Sequence, residues 1–290
     1  MSDSADRDEI TGIDTTGHEW DGIKELNNPL PRWWLWTFYA TILWGVIYTI
    51  AYPAWPLIHR ATGGFLGYST RAEVAQEIAA VDDANAGVTA QLAAADLATL
   101  SPEDPAYQFG VAGGAALFRS HCSQCHGQGA AGFVGYPNLL DDAWLWGGSM
   151  ADIEYTIRHG IRNEQDPDAR WSEMPAFGDL LDKDEILATA EYVLSLSGQD
   201  HDAALAATGQ PLFADNCASC HGDAGEGIRD LGAPTLTDAI WLYGGDRDTL
   251  VETITYSRFG VMPAMGLGSR LSEAEIKAVT LYVHQLGGGE

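Results

Sequence analysis

The apolar positions of this chain fall into one long block followed by shorter helical stripes. Between Arg32 and His59 lie 26 residues with no Asp, Glu, Lys, Arg or His. At about 1.5 Å per residue, roughly 20 such residues cross a bilayer as a helix. Trp33, Trp34 and Trp36 crowd one end, and Tyr48, Tyr52 and Trp55 the other. That is the aromatic belt expected at two lipid–water interfaces. Pro53 and Pro56 are expected to stop the helix. A cleaved leader fits worse, because its apolar core is shorter and begins nearer the N-terminus. The pattern predicts a tail over 1–32 and a membrane-spanning helix over 33–58.

The next stretch, 59–106, is Ala- and Asp-rich. Thr70-Arg-Ala-Glu73 reads as a helix capping box, with Val74, Ile78 and Val81 following at helical spacing. Pro102 and Pro105 end whatever forms, so a linker with a short helix or two is expected.

Beyond it the pattern repeats. Gly114-Ala-Ala-Leu-Phe118 returns as Gly209-Gln-Pro-Leu-Phe213, Trp144-Leu-Trp-Gly-Gly148 as Trp241-Leu-Tyr-Gly-Gly245, and Met174-Pro-Ala-Phe-Gly178 as Met262-Pro-Ala-Met-Gly266. Each copy closes on a helical stripe, one reaching Tyr192 and Leu196, the other Tyr282 and Leu286. Two copies of one fold, over 107–198 and 199–290, are the economical reading.

Composition narrows the classes. The chain has 290 residues, 46% of them hydrophobic, so cores are affordable and wholesale disorder is excluded. With 41 acidic and 15 basic residues the net charge is −26, which excludes the usual nucleic-acid binder with its basic face. The acidity is spread along the chain. It suits either a solubilising surface or the steering of a basic partner protein. Four cysteines are too few for a disulfide-dense scaffold.

All four lie in the repeat, as Cys122-Ser-Gln-Cys125-His126 and Cys217-Ala-Ser-Cys220-His221. Cys-x-x-Cys-His is the attachment signature of c-type haem. Two thiols bond the haem vinyl groups, and the adjacent His comes under the iron as its proximal ligand. One zinc site shared by the four cysteines would need the pairs closer in sequence, and a thioredoxin-like dithiol would need a βαβ context. Two haem c groups are therefore expected, on Cys122, Cys125 and His126 and on Cys217, Cys220 and His221. The matched Met174 and Met262 are the candidate sixth ligands, and a thioether raises the reduction potential relative to a second imidazole. Met265 rivals Met262 but aligns with Phe177. His159, His201 and His284 recur at no matched position. The carbonyls of Pro137 and Pro234 are candidates to hold the proximal rings, and Arg158 and Arg258 to meet haem propionates. A stretch around 162–170 makes the first copy nine residues longer between Gly148 and Met174 than the second between Gly245 and Met262; no role is legible in it.

Both copies resemble class I cytochrome c domains. The resemblance implies an all-α fold: one transmembrane helix, then two tandem cytochrome c domains. In each, the N-terminal helix would cross the C-terminal helix of the same copy, Gly114 and Phe118 against Tyr192, and Gly209 and Phe213 against Tyr282. Each methionine would by default ligate its own copy's haem. Covalent haem attachment in bacterial cytochromes c is periplasmic, which implies a cytoplasmic N-terminus and an inner-membrane anchor.

The segment Trp20-Asp-Gly-Ile-Lys24 to Pro31-Arg32-Trp33-Trp34 ahead of the span closely resembles subunit III of cbb3-type cytochrome c oxidases. That resemblance implies electron entry. A donor cytochrome c would reduce the chain. The electrons would pass to a mono-haem subunit II and the haem–copper subunit I of a proton-translocating complex, where oxygen becomes water. The chain carries no copper cluster, so its own work is electron transfer alone. A free-standing anchored dihaem carrier would share the haem domains but would not need the pre-membrane segment. A dihaem peroxidase would need an open distal site, against which the matched methionines argue.

Overall fold

The structure, a computed structural model, describes residues 6–290. The chain forms two compact units, one ending at Asp83 and one spanning Ala84–Glu290.

In the first unit, strands β1 (Thr15–Trp20) and β2 (Ile23–Leu26) pair antiparallel. Asp21 and Gly22 turn the hairpin with both φ positive, the geometry an Asp-Gly pair suits. This is the only sheet among the described residues, and the one departure from the all-helical expectation. Helix α1 (Arg32–Ala51) follows, its 20 residues spanning about 30 Å. None of its residues is buried within the protein, which suits a helix whose solvent is lipid. It stops short of the expected limit at 58. Tyr52 is extended (φ −113°, ψ 161°) because the ring of Pro53 disfavours helical backbone in the residue before it. Helix α2 is one continuous helix, Thr70–Ala94, rather than a short piece or two. Its first turn is capped by Ser69, whose Oγ accepts from the Ala72 N–H at 3.3 Å; Glu73 binds the Tyr68 hydroxyl.

The second unit holds the repeats. In chain order come α3 (Pro105–His121), α4 (Ser123–His126), α5 (Met150–His159), α6 (Lys183–Leu196), α7 (Ala203–Asn216), α8 (Ala218–His221), α9 (Arg247–Tyr256) and α10 (Glu273–His284). The helix pairing differs from the expected one. Helix α3 crosses α10, and α6 crosses α7. A Cβ on Gly114 would fall onto the Ala278 carbonyl and against Tyr282, and one on Gly209 onto the Ala188 carbonyl. The ring of Phe118 meets Tyr282 at 5.4 Å, and Tyr192 meets Phe213 at 5.2 Å. The first copy's N-terminal helix thus takes the second copy's C-terminal helix, and the reverse.

The reason lies in the connection. Only residues 197–202 join α6 to α7, and short links leave consecutive antiparallel helices as neighbours. The link is tied down as well. Glu191, 2% exposed, accepts the Asp202 N–H at 2.7 Å and both Nε and Nη2 of Arg247. At the other end, Lys277 on α10 donates to the carbonyls of Ala93 and Ala95 at 2.8 and 2.6 Å. Leu92, Leu97, Ala278 and Leu281 form a small core there.

Two larger cores result, and neither follows the sequence copies. One joins Phe118, Ile153 and Ile157 to Met265, Ile276 and Val279. The other joins Phe177, Ile186 and Val193 to Phe213, Leu250 and Ile254. The division at 198/199 is therefore a boundary of the repeat. In packing, the body around the second core is a continuous stretch nested within the body around the first.

Candidate haem-attachment sites

Each Cys-x-x-Cys-His motif is one helical turn that follows directly on a longer helix. The N–H groups of Cys125 and His126 both donate to the Cys122 carbonyl, at 3.1 and 2.9 Å. Those of Cys220 and His221 donate to Cys217, at 3.1 and 3.0 Å. This turn gathers both thiols and the imidazole. All four cysteines are free of disulfides. Burial pushes the Cys122 and Cys217 thiols up to about 11, so both rest in the neutral thiol form.

The proximal rings are held as the two prolines suggested. His126 Nδ1 lies 3.1 Å from the Pro137 carbonyl, and His221 Nδ1 lies 3.0 Å from that of Pro234. A carbonyl only accepts, so each ring donates from Nδ1 and keeps a lone pair on Nε2 for a metal. Burial pulls both imidazoles below their usual pKa, outweighing the carbonyl's support for the charged ring. Both shifts favour the neutral ring, the form that can bind a metal.

The methionines are exchanged between copies. Met174 lines one cavity with Cys217, Cys220, His221 and the core residues Phe177 and Phe213. Met262 packs on the other core with Cys122, Leu139 and Trp144. Backbone bonds hold the exchange. Ile161 and Met262 trade N–H···O bonds at 3.0 Å each, the Met265 N–H donates to Ile157 at 3.0 Å, and Ser257 Oγ donates to the Met174 carbonyl at 2.6 Å. The default of a methionine facing its own copy's histidine is corrected accordingly: each Met-Pro-Ala loop travels with the helix that follows it, and those helices are exchanged. Met265 is a buried core residue, as is Phe177, its counterpart.

Other candidates separate cleanly. Arg158 is taken up by Glu154 and by both oxygens of Glu273 (2.5–2.8 Å) and does not line the Met174 cavity. Arg258 does line the Met174 cavity, stacked 4.9 Å from the Tyr243 ring centroid. His159 binds Asp166, His201 the Gln199 carbonyl and His284 the Glu290 carbonyl, at 3.1, 2.8 and 3.0 Å, and none of the three lines the Met174 cavity. Sequence reasoning missed Arg162, which reaches the Met174 cavity from the extra loop. It also missed Trp146 and Arg170, stacked at 5.6 Å, whose Trp Nε1 and Arg Nε are buried with no partner. Only the folded arrangement reveals these three.

The residues fit a covalently attached haem. The Met174 cavity is lined by two thiols, an imidazole with a free nitrogen, a thioether, apolar walls and cationic arginines. Such a set suits a flat apolar macrocycle that carries carboxylates.

Comparison with known proteins agrees along the chain. Residues 12–59 match the family described as the N-terminal domain of cytochrome oxidase-cbb3, FixP. Residues 110–193 and 204–283 match cytochrome c oxidase, cbb3-type, subunit III. The chain is 60% identical over 278 residues to a cbb3-type cytochrome c oxidase subunit CcoP of Cereibacter sphaeroides, covering 95% of both chains. It is 50% identical over 283 residues to subunit FixP of Sinorhizobium medicae, covering 98% of this chain and 97% of that one. To subunit CcoP of Rhodobacter capsulatus it is 52% identical over 287 residues, covering 96% and 97%. With a hairpin and an apolar helix ahead of two interlocked Cys-x-x-Cys-His bodies, and with matches across both regions, the chain belongs to the family of subunit III of cbb3-type cytochrome c oxidases, the cytochrome c electron-transfer component of that complex.

Proposed function

We propose that the chain holds two haem c groups and serves as the electron-entry subunit of its oxidase. It would take electrons from a donor cytochrome c and pass them, through a mono-haem subunit II, to a haem–copper subunit I that reduces oxygen and translocates protons. When bound, haem supplies one-electron iron chemistry. Cys122 and Cys125 would tether one group, with His126 and Met262 to hold its iron. Cys217 and Cys220 would tether the other, with His221 and Met174 to hold its iron. Pro137 and Pro234 fix the two imidazoles in orientation and tautomer, and the apolar cores exclude water, which favours the less charged ferrous form. Helix α1 anchors the chain in the inner membrane, with the tail of residues 1–32 cytoplasmic and the haem bodies periplasmic.

The observation that carries this reading is the meeting of Met174 with Cys217, Cys220 and His221 in one cavity, beside a ring already held by a carbonyl. Met174→His should keep the haem attached and lower one of two c-haem midpoint potentials. An unchanged titration would remove Met174 as a ligand. For the complex, a pyridine haemochrome spectrum of the tagged chain purified in mild detergent should show b-type haem beside two c-type haems per chain. Two c-type haems without b-type would favour a free-standing carrier.

A further inference from the structure

The surplus residues of the first copy form a loop closed at its base. Arg162 N–H donates to the Arg170 carbonyl at 2.8 Å, and Arg170 N–H to Gly160 at 3.1 Å. Within it Asp166, 8% exposed, accepts from the Asp168 N–H at 2.9 Å and meets His159. At the base Arg162 has φ of +51°, a left-handed backbone that non-glycine residues rarely adopt.

Its side chain reaches the cavity of Met174 and His221. Arg162 Nε donates to the Gly260 carbonyl at 2.6 Å and Nη1 to the Ser172 carbonyl at 2.7 Å. The guanidinium stands 5.6 Å from the centroid of Phe259. Two of its five N–H donors are thus used. Among the described residues no carboxylate lies within ion-pair distance of it. Arg258, on the same cavity, already has partners in Glu252 at 3.5 Å and the Thr249 carbonyl at 2.9 Å. Burial pulls Arg162 below its usual pKa, while Glu173, which favours its charge, is itself exposed. A cation half-buried without a counter-ion is costly unless an anion joins it.

On the haem reading given above, we propose that Arg162, supplied by the extra loop of the first copy, is the ion-pair partner of a propionate of the second-copy haem, the one tethered at Cys217 and Cys220, and that it holds that haem's potential up. A positive charge there offsets the propionate and favours the ferrous form, which carries one positive charge fewer. The loop acts across the repeat, on the haem whose histidine the first copy does not supply.

The test is a potentiometric titration of the detergent-purified complex, with haem per chain counted by pyridine haemochrome. Arg162→Gln should lower one of the two c-haem components by about tenfold in its reduced-to-oxidised ratio, ~59 mV for one electron. Arg162→Lys keeps the charge without the planar fork and should fall between the two. The component displaced should be the one that Met174→His displaces and not the one that Met262→His displaces. The proposal is overturned if both components stay put, if the Met262 component moves, or if the lysine variant is as displaced as the glutamine one. If Met174→His moves neither component, the ligand assignment fails, and Arg162 is judged on the Gln and Lys shifts alone. A propionate bending mode in resonance Raman spectra should also shift between wild type and Arg162→Lys. An unchanged mode would count against the ion pair without requiring the Gln variant to fold.

Discussion

Glu191 is the most consequential buried charge in the second unit. It is 2% exposed, yet it binds both Arg247 and the backbone of Asp202. Hydrogen bonding to Arg247 holds its carboxyl below the ordinary value of 4.5. A carboxylate lowered on folding contributes stability above its unfolded pKa and loses it as the pH falls through the folded one. The Glu191 contribution should therefore be complete at neutral pH and fade below about pH 4.5. Glu191→Gln should cost roughly 1–3 kcal/mol at pH 7, because it leaves polar partners unmatched. Its stability should also depend less on pH than wild type below 4.5. Thermal unfolding followed by circular dichroism across that range checks this, and parallel pH curves would refute it. The link is also structural, since Glu191 clamps the short connection that makes α6 and α7 neighbours. At the same scale, His126 and His221 were legible as candidate ligands because their motif is local. Cys-x-x-Cys-His is one helical turn whatever surrounds it. Arg162 was not legible, because its partners Gly260 and Ser172 come from both copies and only folding brings them to it.

At the scale of the element, the helix crossings depend on a missing side chain. Gly114 and Gly209 stand where a Cβ would strike a backbone carbonyl of the facing helix, which cannot retreat without moving that helix. Gly114→Ala and Gly209→Ala should each lose roughly 1–3 kcal/mol, the usual cost of overpacking. Gly113, one residue away on α3, faces open space. Gly113→Ala should be neutral or stabilise by about 0.5–1 kcal/mol through helix propensity alone. Chemical denaturation of the three variants measures the contrast, and equal effects at 113 and 114 would mean the crossing is looser than described. The repeat made these glycines legible as helix-contact residues. It could not say which helix they meet, because both C-terminal helices offer similar small-residue surfaces. The N-terminal hairpin shows the opposite failure: the Asp21-Gly22 turn signal was present, but no helical or membrane pattern drew attention to it.

At the scale of the molecule, the nesting of one Cys-x-x-Cys-His body in the other has a consequence for truncation. A chain stopped after Gly198 keeps a complete sequence copy but loses α10, and Phe118 and Gly114 lose their packing partner. Such a chain should attach or retain less haem at His126 than the full chain and be cut rapidly by protease. Haem-stained gels and limited proteolysis read this out, and a stable product with full haem would show that each copy folds alone. The net charge of −26 belongs to this scale too. If it steers a basic donor, the rate of reduction by a cationic cytochrome should fall steeply as ionic strength rises, since screening shortens the Debye length from about 10 Å at 0.1 M to about 3 Å at 1 M. A rate indifferent to salt would assign the acidity to solubility instead.

By itself the sequence determined what depends on short-range pattern: an apolar helix long enough for a membrane, two Cys-x-x-Cys-His turns, matched methionines, and the family these compose. Local spacing decides those features, because the groups involved lie within a turn or a single element of one another. Tertiary structure alone decided which methionine meets which histidine, which helices cross, and that a loop with no legible role carries an arginine into the opposite copy's cavity. The physical reason is the six-residue link between α6 and α7. Both copies carry the same pattern of glycines and aromatics, so the pattern does not name the partner helix, and chain connectivity does.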